Sequence, residues 1–261
     1  MSMTPSAATI QSRATPPPDF DRLALVYCWM EWVSFGPWLG RCRCAFLDRL
    51  SHCRRALVLG DGDGRFTARL LAHNPAILVD AVDASPAMLS ELARRAGQHR
   101  SRVQIQVADI RAWEPAAPAY DLVVTHFFLD CMAPDEVESL ARRLRSHLRS
   151  DAAWVVSEFN LPANRFGQFI AGSLIALLYR AFGLLTGLTI RTLPDHGKAL
   201  AQSGFILKHQ QKWLGGLLVS SWWEPARTGT SLELNRNGVP IPEFLCSSQR
   251  ASNSRHSPNL L

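Results

Sequence analysis

One stretch restricts the fold of this chain more than any other. Four apolar residues at 56–59 run into Gly60-Asp61-Gly62-Asp63-Gly64, and a helix-like pattern follows over 66–72. A buried strand that turns through alternate glycines into a helix opens a parallel, helix-covered sheet. Glycines at such a turn let the backbone approach a ligand that a Cβ would exclude. The same alternation continues along the chain, with strand patterns at 76–82, 103–107, 120–125 and 153–158 and helix patterns at 86–95 and 134–148. Right-handed crossovers wind such units into a doubly wound sheet. Two late runs, 205–213 and 216–222, are split by Leu214-Gly215 and read as an antiparallel hairpin at the sheet edge. The expected fold is α/β, a doubly wound, mostly parallel seven-stranded sheet with an antiparallel C-terminal hairpin and an N-terminal helical lid.

The flanks divide by composition. Residues 1–18 are rich in Ser, Thr, Ala and Pro and read as a flexible arm; 225–261 read as a loosely ordered tail. Between them, 19–224 form the expected domain, with a helical cap at 19–52, a cofactor-binding core at 54–160 and a helical insertion or cap at 164–204. In the first cap, Leu23, Val26, Tyr27 and Met30, then Phe46, Leu47 and Leu50, lie at helical spacing, and Gly36-Pro37 divides two helices. The stretch 166–190 approaches the length of a membrane span, but Arg180 inside it would cost a few kcal/mol in lipid. It reads as a long buried helix or a substrate cap, with peripheral membrane contact as a second role.

Overall composition supports a packed core, at 47% hydrophobic and 19% charged. The net charge of +6 favours acidic partners only weakly. Arg142, Arg143, Arg145 and Arg149 read as a solvated helix face. Six cysteines form no CxxC pair and no zinc spacing, and no signal-peptide pattern is present. Reduced thiols acting as small apolar residues, no metal and a cytoplasmic location are expected.

The loop's chemistry selects among nucleotide ligands. A nicotinamide site wants GxGxxG, and here Arg65 follows Gly64. Asp61 and Asp63 would repel a pyrophosphate, and no loop lysine is present for a P-loop. S-adenosylmethionine has no phosphate and carries an ammonium and a sulfonium, which suit an acidic loop. Asp83 ends the next strand about 20 residues after the glycines, where a carboxylate can accept from both ribose hydroxyls. Ser85 suits the helix N-cap and Pro86 its first position. Asp80 is the rival acid and reads as a polar residue facing out of an edge position. Asp109 follows the third strand, where it can take the adenine amino group or initiate a turn.

In order, LVLGDGDG, AVDASPAML, VADI and YDLVVTHFFLD resemble motifs I to IV of the class I S-adenosylmethionine-dependent methyltransferases, across roughly residues 54–225. LPDH, QSGF and the terminal hairpin are similar to that family as well. The resemblance implies that Gly60, Gly62 and Gly64 approach the methionine and ribose portions, that Asp83 holds the ribose and that Asp109 reads adenine. Ala84, Ile110 and Thr125 complete the implied cofactor-binding set. The family usually has an acid two residues before the first glycine, and here that residue is Val58. Asp61 is the substitute for holding the methionine ammonium.

The fourth strand ends in Thr125-His126-Phe127-Phe128-Leu129-Asp130, which should face the reactive methyl. His126 is the candidate catalytic base, with a core histidine as the alternative. Asp130 either orients it or caps the next turn, and Phe127 and Phe128 wall the pocket or pack in the core. His196 reads as loop chemistry, with Asp195 capping the helix behind it. Tyr27, Trp29, Trp32 and Trp38, together with 166–190, point to a hydrophobic acceptor. The expected function is therefore methyl transfer to a small, hydrophobic acceptor. A nucleic-acid methyltransferase is disfavoured because THFF stands where base-methylating enzymes often carry [DNS]PP[YFW]. A non-catalytic binding module is the reading from another class, and Val58 is the residue that favours it.

Overall fold

The computed structural model describes residues 36–115, 119–160 and 195–226. Seven strands make one sheet: β1 (Arg55–Leu59), β2 (Leu78–Asp83), β3 (Val103–Val107), β4 (Tyr120–His126), β5 (Leu148–Phe159), β6 (Phe205–Trp213) and β7 (Leu218–Pro225). Their spatial order is β3-β2-β1-β4-β5-β7-β6. The first five strands run parallel, and β7 is antiparallel to both its neighbours. The described α-helices are α1 (Pro37–Arg43), α2 (Arg65–His73), α3 (Pro86–Ala96), α4 (Pro134–Arg145) and α5 (His196–Gln202). The expected α/β sheet with its terminal hairpin is what forms. Strand order reverses between β1 and β4, so a crevice opens at their carboxyl ends.

Both faces of the sheet are covered, which is why β1 is a continuous apolar run. Ala56 and Val58 point to one side, among Phe66, Leu70, Leu89, Leu122 and Val124. Leu57 and Leu59 point to the other, among Leu140, Leu144, Val123, Trp154 and Phe205. Each fully buried leucine contributes about 1.5–3 kcal/mol. Caps fix the helix starts: Ser85 Oγ accepts from Met88 N at 3.1 Å, and Asp195 accepts from Lys198 N at 3.0 Å.

Several boundaries and roles differ from expectation. The helix expected over 134–148 stops at Arg145, because Leu148 already pairs with Tyr120 and begins β5. The polar start of β5, where Arg149 and Asp151 pair at 3.1 Å, hides the strand pattern. The last strand begins at Leu218, since a 3-10 turn occupies Leu214–Gly216 with Gly215 at φ 66°. Phe46 precedes a 3-10 turn, Leu47–Leu50, instead of lying on a long helix. Asp80 is not at an edge: β2 lies inside the sheet, and Asp80 accepts from Arg55 at 2.9 Å and from Tyr120 Oη at 2.7 Å. The arginines of α4 are not simply a solvated face, because Arg143 donates to Ile110 O at 2.8 Å and Arg145 lies over the Phe205 ring.

Cys42 and Cys53 are free, buried thiols that burial pushes up to about 12, which keeps them protonated and inert. Among the described residues, no three potential metal ligands come together and no helix is long and apolar enough to cross a membrane. The first cap helix, the 166–190 segment, the arm and the tail lie outside the described residues.

Candidate active site

The glycine loop sits at the reversal point, between the ends of β1 and β4. Gly60, Gly62 and Gly64 have φ of 65°, 60° and 78°, a region that side chains rarely adopt. Close packing makes two of them obligatory. A Cβ on Gly60 would lie 2.1 Å from the Phe128 ring, and one on Gly64 would lie 2.7 Å from Leu92 Cα. At Gly62 the nearest atom would be Met88 Sδ at 3.9 Å, so that position needs glycine for its backbone angle alone. Gly60 N donates to Val82 O at 3.0 Å, which ties the loop to the end of β2.

The two loop aspartates, read from sequence as one acidic neighbourhood, have separate roles. Asp63 accepts from Arg65 Nε and from Arg95, both at 2.9 Å, so its charge is matched and it clamps the loop to α3. Asp61 turns one oxygen to α2, where Oδ2 accepts from Thr67 N at 2.9 Å and from Thr67 Oγ1 at 2.7 Å. Its other oxygen, Oδ1, is buried and has no hydrogen-bond partner. Burial pushes the Asp61 carboxyl up to about 6, against the Thr67 hydrogen bonds and the Arg43 charge, which pull it down. Val58 is buried in the core, in the same cluster as Phe66 and Leu70 of α2.

Asp83 and Ala84 follow at the end of β2, both half-buried. Asp83 Oδ1 accepts from Ser85 N at 2.9 Å, and its carbonyl accepts from Ala108 N at 3.0 Å, joining the ends of β2 and β3. Asp109 and Ile110 follow β3. Both Asp109 oxygens are gripped by Arg111, whose hydrogen bonds hold that carboxyl below the usual carboxylate range. Ile110 is buried. Thr125 is fully buried, and its Oγ1 accepts from Trp154 Nε1 at 3.0 Å. Its side chain is therefore committed to Trp154 of β5.

His126 packs edge-on to Phe66, with ring centroids 4.5 Å apart. It is 3% exposed, and neither ring nitrogen has a hydrogen-bond partner. Burial, helped by Arg43, pushes the imidazole well below its ordinary value, so it is neutral. Asp130 does not orient it. Instead Asp130 is buried in a 3-10 turn, Leu129–Cys131, close to Glu158.

Glu158 is the residue that sequence reasoning missed. Its Oε1 accepts from Phe128 N at 3.0 Å and Leu129 N at 2.8 Å, pinning the chain that leaves β4. Its Oε2 is buried with no partner. Burial beside Asp130 drives the Glu158 carboxyl well above its ordinary value. The signal was present as a lone acid closing the apolar strand 153–158. Phe127 leaves β4 at φ 54° and stacks near Phe159, while Phe128 covers Gly60. One aromatic therefore packs in the core and the other roofs the loop.

Residues 56–151 match the profile of a methyltransferase domain family. Among curated proteins, the chain is 27% identical to a malonyl-[acyl-carrier protein] O-methyltransferase of Paenibacillus sp. strain JDR-2, over 58% of this chain and 55% of the relative. It is 34% identical to a trans-aconitate 2-methyltransferase of Azoarcus sp. strain BH72 over 49% of each chain. It is also 27% identical to the trans-aconitate 2-methyltransferase of Rhodococcus jostii strain RHA1, over 82% of this chain and 84% of that one. The chain thus spans about half the length of the first two relatives. Among solved structures, an O-methyltransferase family protein from Burkholderia thailandensis superposes with a TM-score of 0.60 at 14% identity, covering 79% of this chain and 60% of that one. The DhpI–SAH complex superposes at 0.55 with 16% identity, covering 79% and 96%.

Proposed function

Since residues 56–151 match a methyltransferase domain family, we propose that the chain transfers a methyl group from S-adenosylmethionine to a small-molecule acceptor. The observation that carries this reading is the loop: three glycines held at positive φ beside one buried carboxylate oxygen with no partner. That oxygen, Asp61 Oδ1, suits the donor's ammonium and stands in for the acid that Val58 replaces. Asp83 suits the ribose hydroxyls. Asp109 reaches adenine only if it shares its carboxylate with Arg111, so Arg111 sets its position.

When bound, the sulfonium supplies an activated methyl group and a good leaving group. The protein's part is positioning and exclusion of water. Phe128 and the turn pinned by Glu158 close the loop side of the crevice. His126, neutral and enclosed by Phe66, keeps the β4 end apolar and is a weak proton acceptor at neutral pH. Relatives named for trans-aconitate and for malonyl-[acyl-carrier protein] weigh toward a polar acceptor. Of the residues that pointed to a hydrophobic acceptor, Trp38 lies under Arg41 and packs on the Leu39 and Cys42 cluster, whereas Tyr27, Trp29, Trp32 and 166–190 lie outside the described residues.

Calorimetric titration with S-adenosylmethionine tests the reading. One site of micromolar affinity is expected, and the absence of heat at millimolar cofactor would refute it.

A further inference from the structure

Beside the loop, between α1 and the start of α2, lies a cavity of about 370 Å³. Among the described residues, four arginines line it, Arg41, Arg43, Arg65 and Arg69, and no acidic residue does. We propose that this cleft binds the acceptor, and that the acceptor is a small di- or tricarboxylate, held through one carboxylate and methylated on another. The proposal rests on the methyltransferase reading above and names the substrate class for that site.

The location follows from the contacts. Arg65 comes directly after Gly64 of the donor loop, and Phe66, which also lines the cavity, packs against His126 at the end of β4. Arg43 is 7% exposed, lies 5.3 Å over the Phe127 ring, and its charge is felt at both the Asp61 carboxyl and the His126 imidazole. The cleft therefore borders the β4 end and the loop at once.

Its chemistry follows from the arginines. Asp63, the acid paired with Arg65, is not part of the lining. Arg41 lies 4.7 Å over the Trp38 ring. Arg69 is aimed at the same wall by Gly40 O at 3.5 Å and Cys44 Sγ at 3.2 Å. Planar guanidinium groups grip carboxylates two bonds at a time. With Arg65 already paired to Asp63, the guanidinium groups of this wall still favour an anion over a cationic amine. The volume suits a small molecule.

A carboxylate acceptor also fits the rest of the site. It is already ionised at neutral pH, so its oxygen attacks the methyl carbon, the carbon–sulfur pair goes to sulfur, and an ester and a neutral thioether result with no proton moved. No base is required, and His126, the residue nearest that role in sequence, has no partner to receive or orient a proton.

The test uses the full chain loaded with S-adenosylhomocysteine. It is titrated calorimetrically with di- and tricarboxylic acids of three to six carbons, and with inorganic phosphate and the corresponding neutral esters as comparison arms. Saturable binding of at least one free acid at millimolar concentration or below is expected, with none of its ester. The double variant Arg41→Gln/Arg69→Gln should weaken that binding at least tenfold and leave S-adenosylmethionine affinity within twofold. No saturable binding by any acid, or binding of phosphate alone, overturns the proposal. So does a parallel loss of donor affinity in the variant, which would assign the arginines to the donor's own carboxylate. If the wild-type chain does not bind S-adenosylmethionine at all, the methyltransferase reading fails, independently of the cleft.

Discussion

Replacing Asp61 by Asn removes one negative charge and changes little else. Asn Oδ1 can still accept from Thr67 N and Oγ1, which now bind Asp61 Oδ2 at 2.9 and 2.7 Å, so the start of α2 keeps its cap. What disappears is the buried oxygen with no protein partner. A hydrogen bond to a charged group is worth about 1.5–3 kcal/mol, so S-adenosylmethionine should bind about 10- to 150-fold more weakly. The pH dependence gives a second, independent readout. With the carboxyl pushed up to about 6, roughly nine-tenths of Asp61 is ionised at pH 7 and roughly one-tenth at pH 5. If only the carboxylate binds the ammonium, wild-type affinity should fall about tenfold from pH 7 to pH 5. The donor's own ammonium and carboxylate do not titrate in that window. Calorimetry at pH 5, 6 and 7 on both proteins measures this. Equal Kd in wild type and variant, or the same pH slope in Asp61→Asn, would refute the assignment.

Other expectations follow from the same geometry. Gly60→Ala puts a Cβ 2.1 Å from the Phe128 ring at φ 65°, so it should cost about 2–4 kcal/mol in denaturant unfolding and weaken donor binding. Unchanged stability would mean that Phe128 does not roof the loop. Glu158 has its carboxyl raised in the folded state, so the fold binds more protons than the unfolded chain above the unfolded value near 4.5. Its contribution is complete below that value and is lost as pH rises through the folded one. Glu158→Gln should therefore flatten the decline in melting temperature from pH 5 to pH 9, whereas an unaltered slope would show that Glu158 is ionised in the fold. His126→Gln should lower kcat by less than about tenfold on any acceptor found, whereas a fall of about 10²–10⁴ would mark His126 as a general base.

The pattern of the chain was enough to specify the sheet, its hairpin and the position of the glycine loop. Buried parallel strands, glycine turns and capped helices each leave local marks in sequence, such as the run at 56–59 or Ser85-Pro86. Strands with polar stretches leave weaker marks, which is why the start of β5 reads in sequence as the end of α4. Pairing partners leave none. Asp61 and Asp63 are indistinguishable as letters two residues apart, and only the approach of Arg95 from α3 and Thr67 from α2 neutralises one and leaves an oxygen of the other open. Glu158 joins the site because β5 lies beside β4, 30 residues away in sequence. The arginine cleft exists because α1, seated on β6 and β7, brings Arg41 and Arg43 to the same cavity as Arg65 and Arg69 of α2. The fold and the glycine loop at its reversal point are legible in sequence alone, because those depend on local periodicity and backbone freedom. The charges that decide what else can enter depend on contacts between distant segments, and only the tertiary structure sets those.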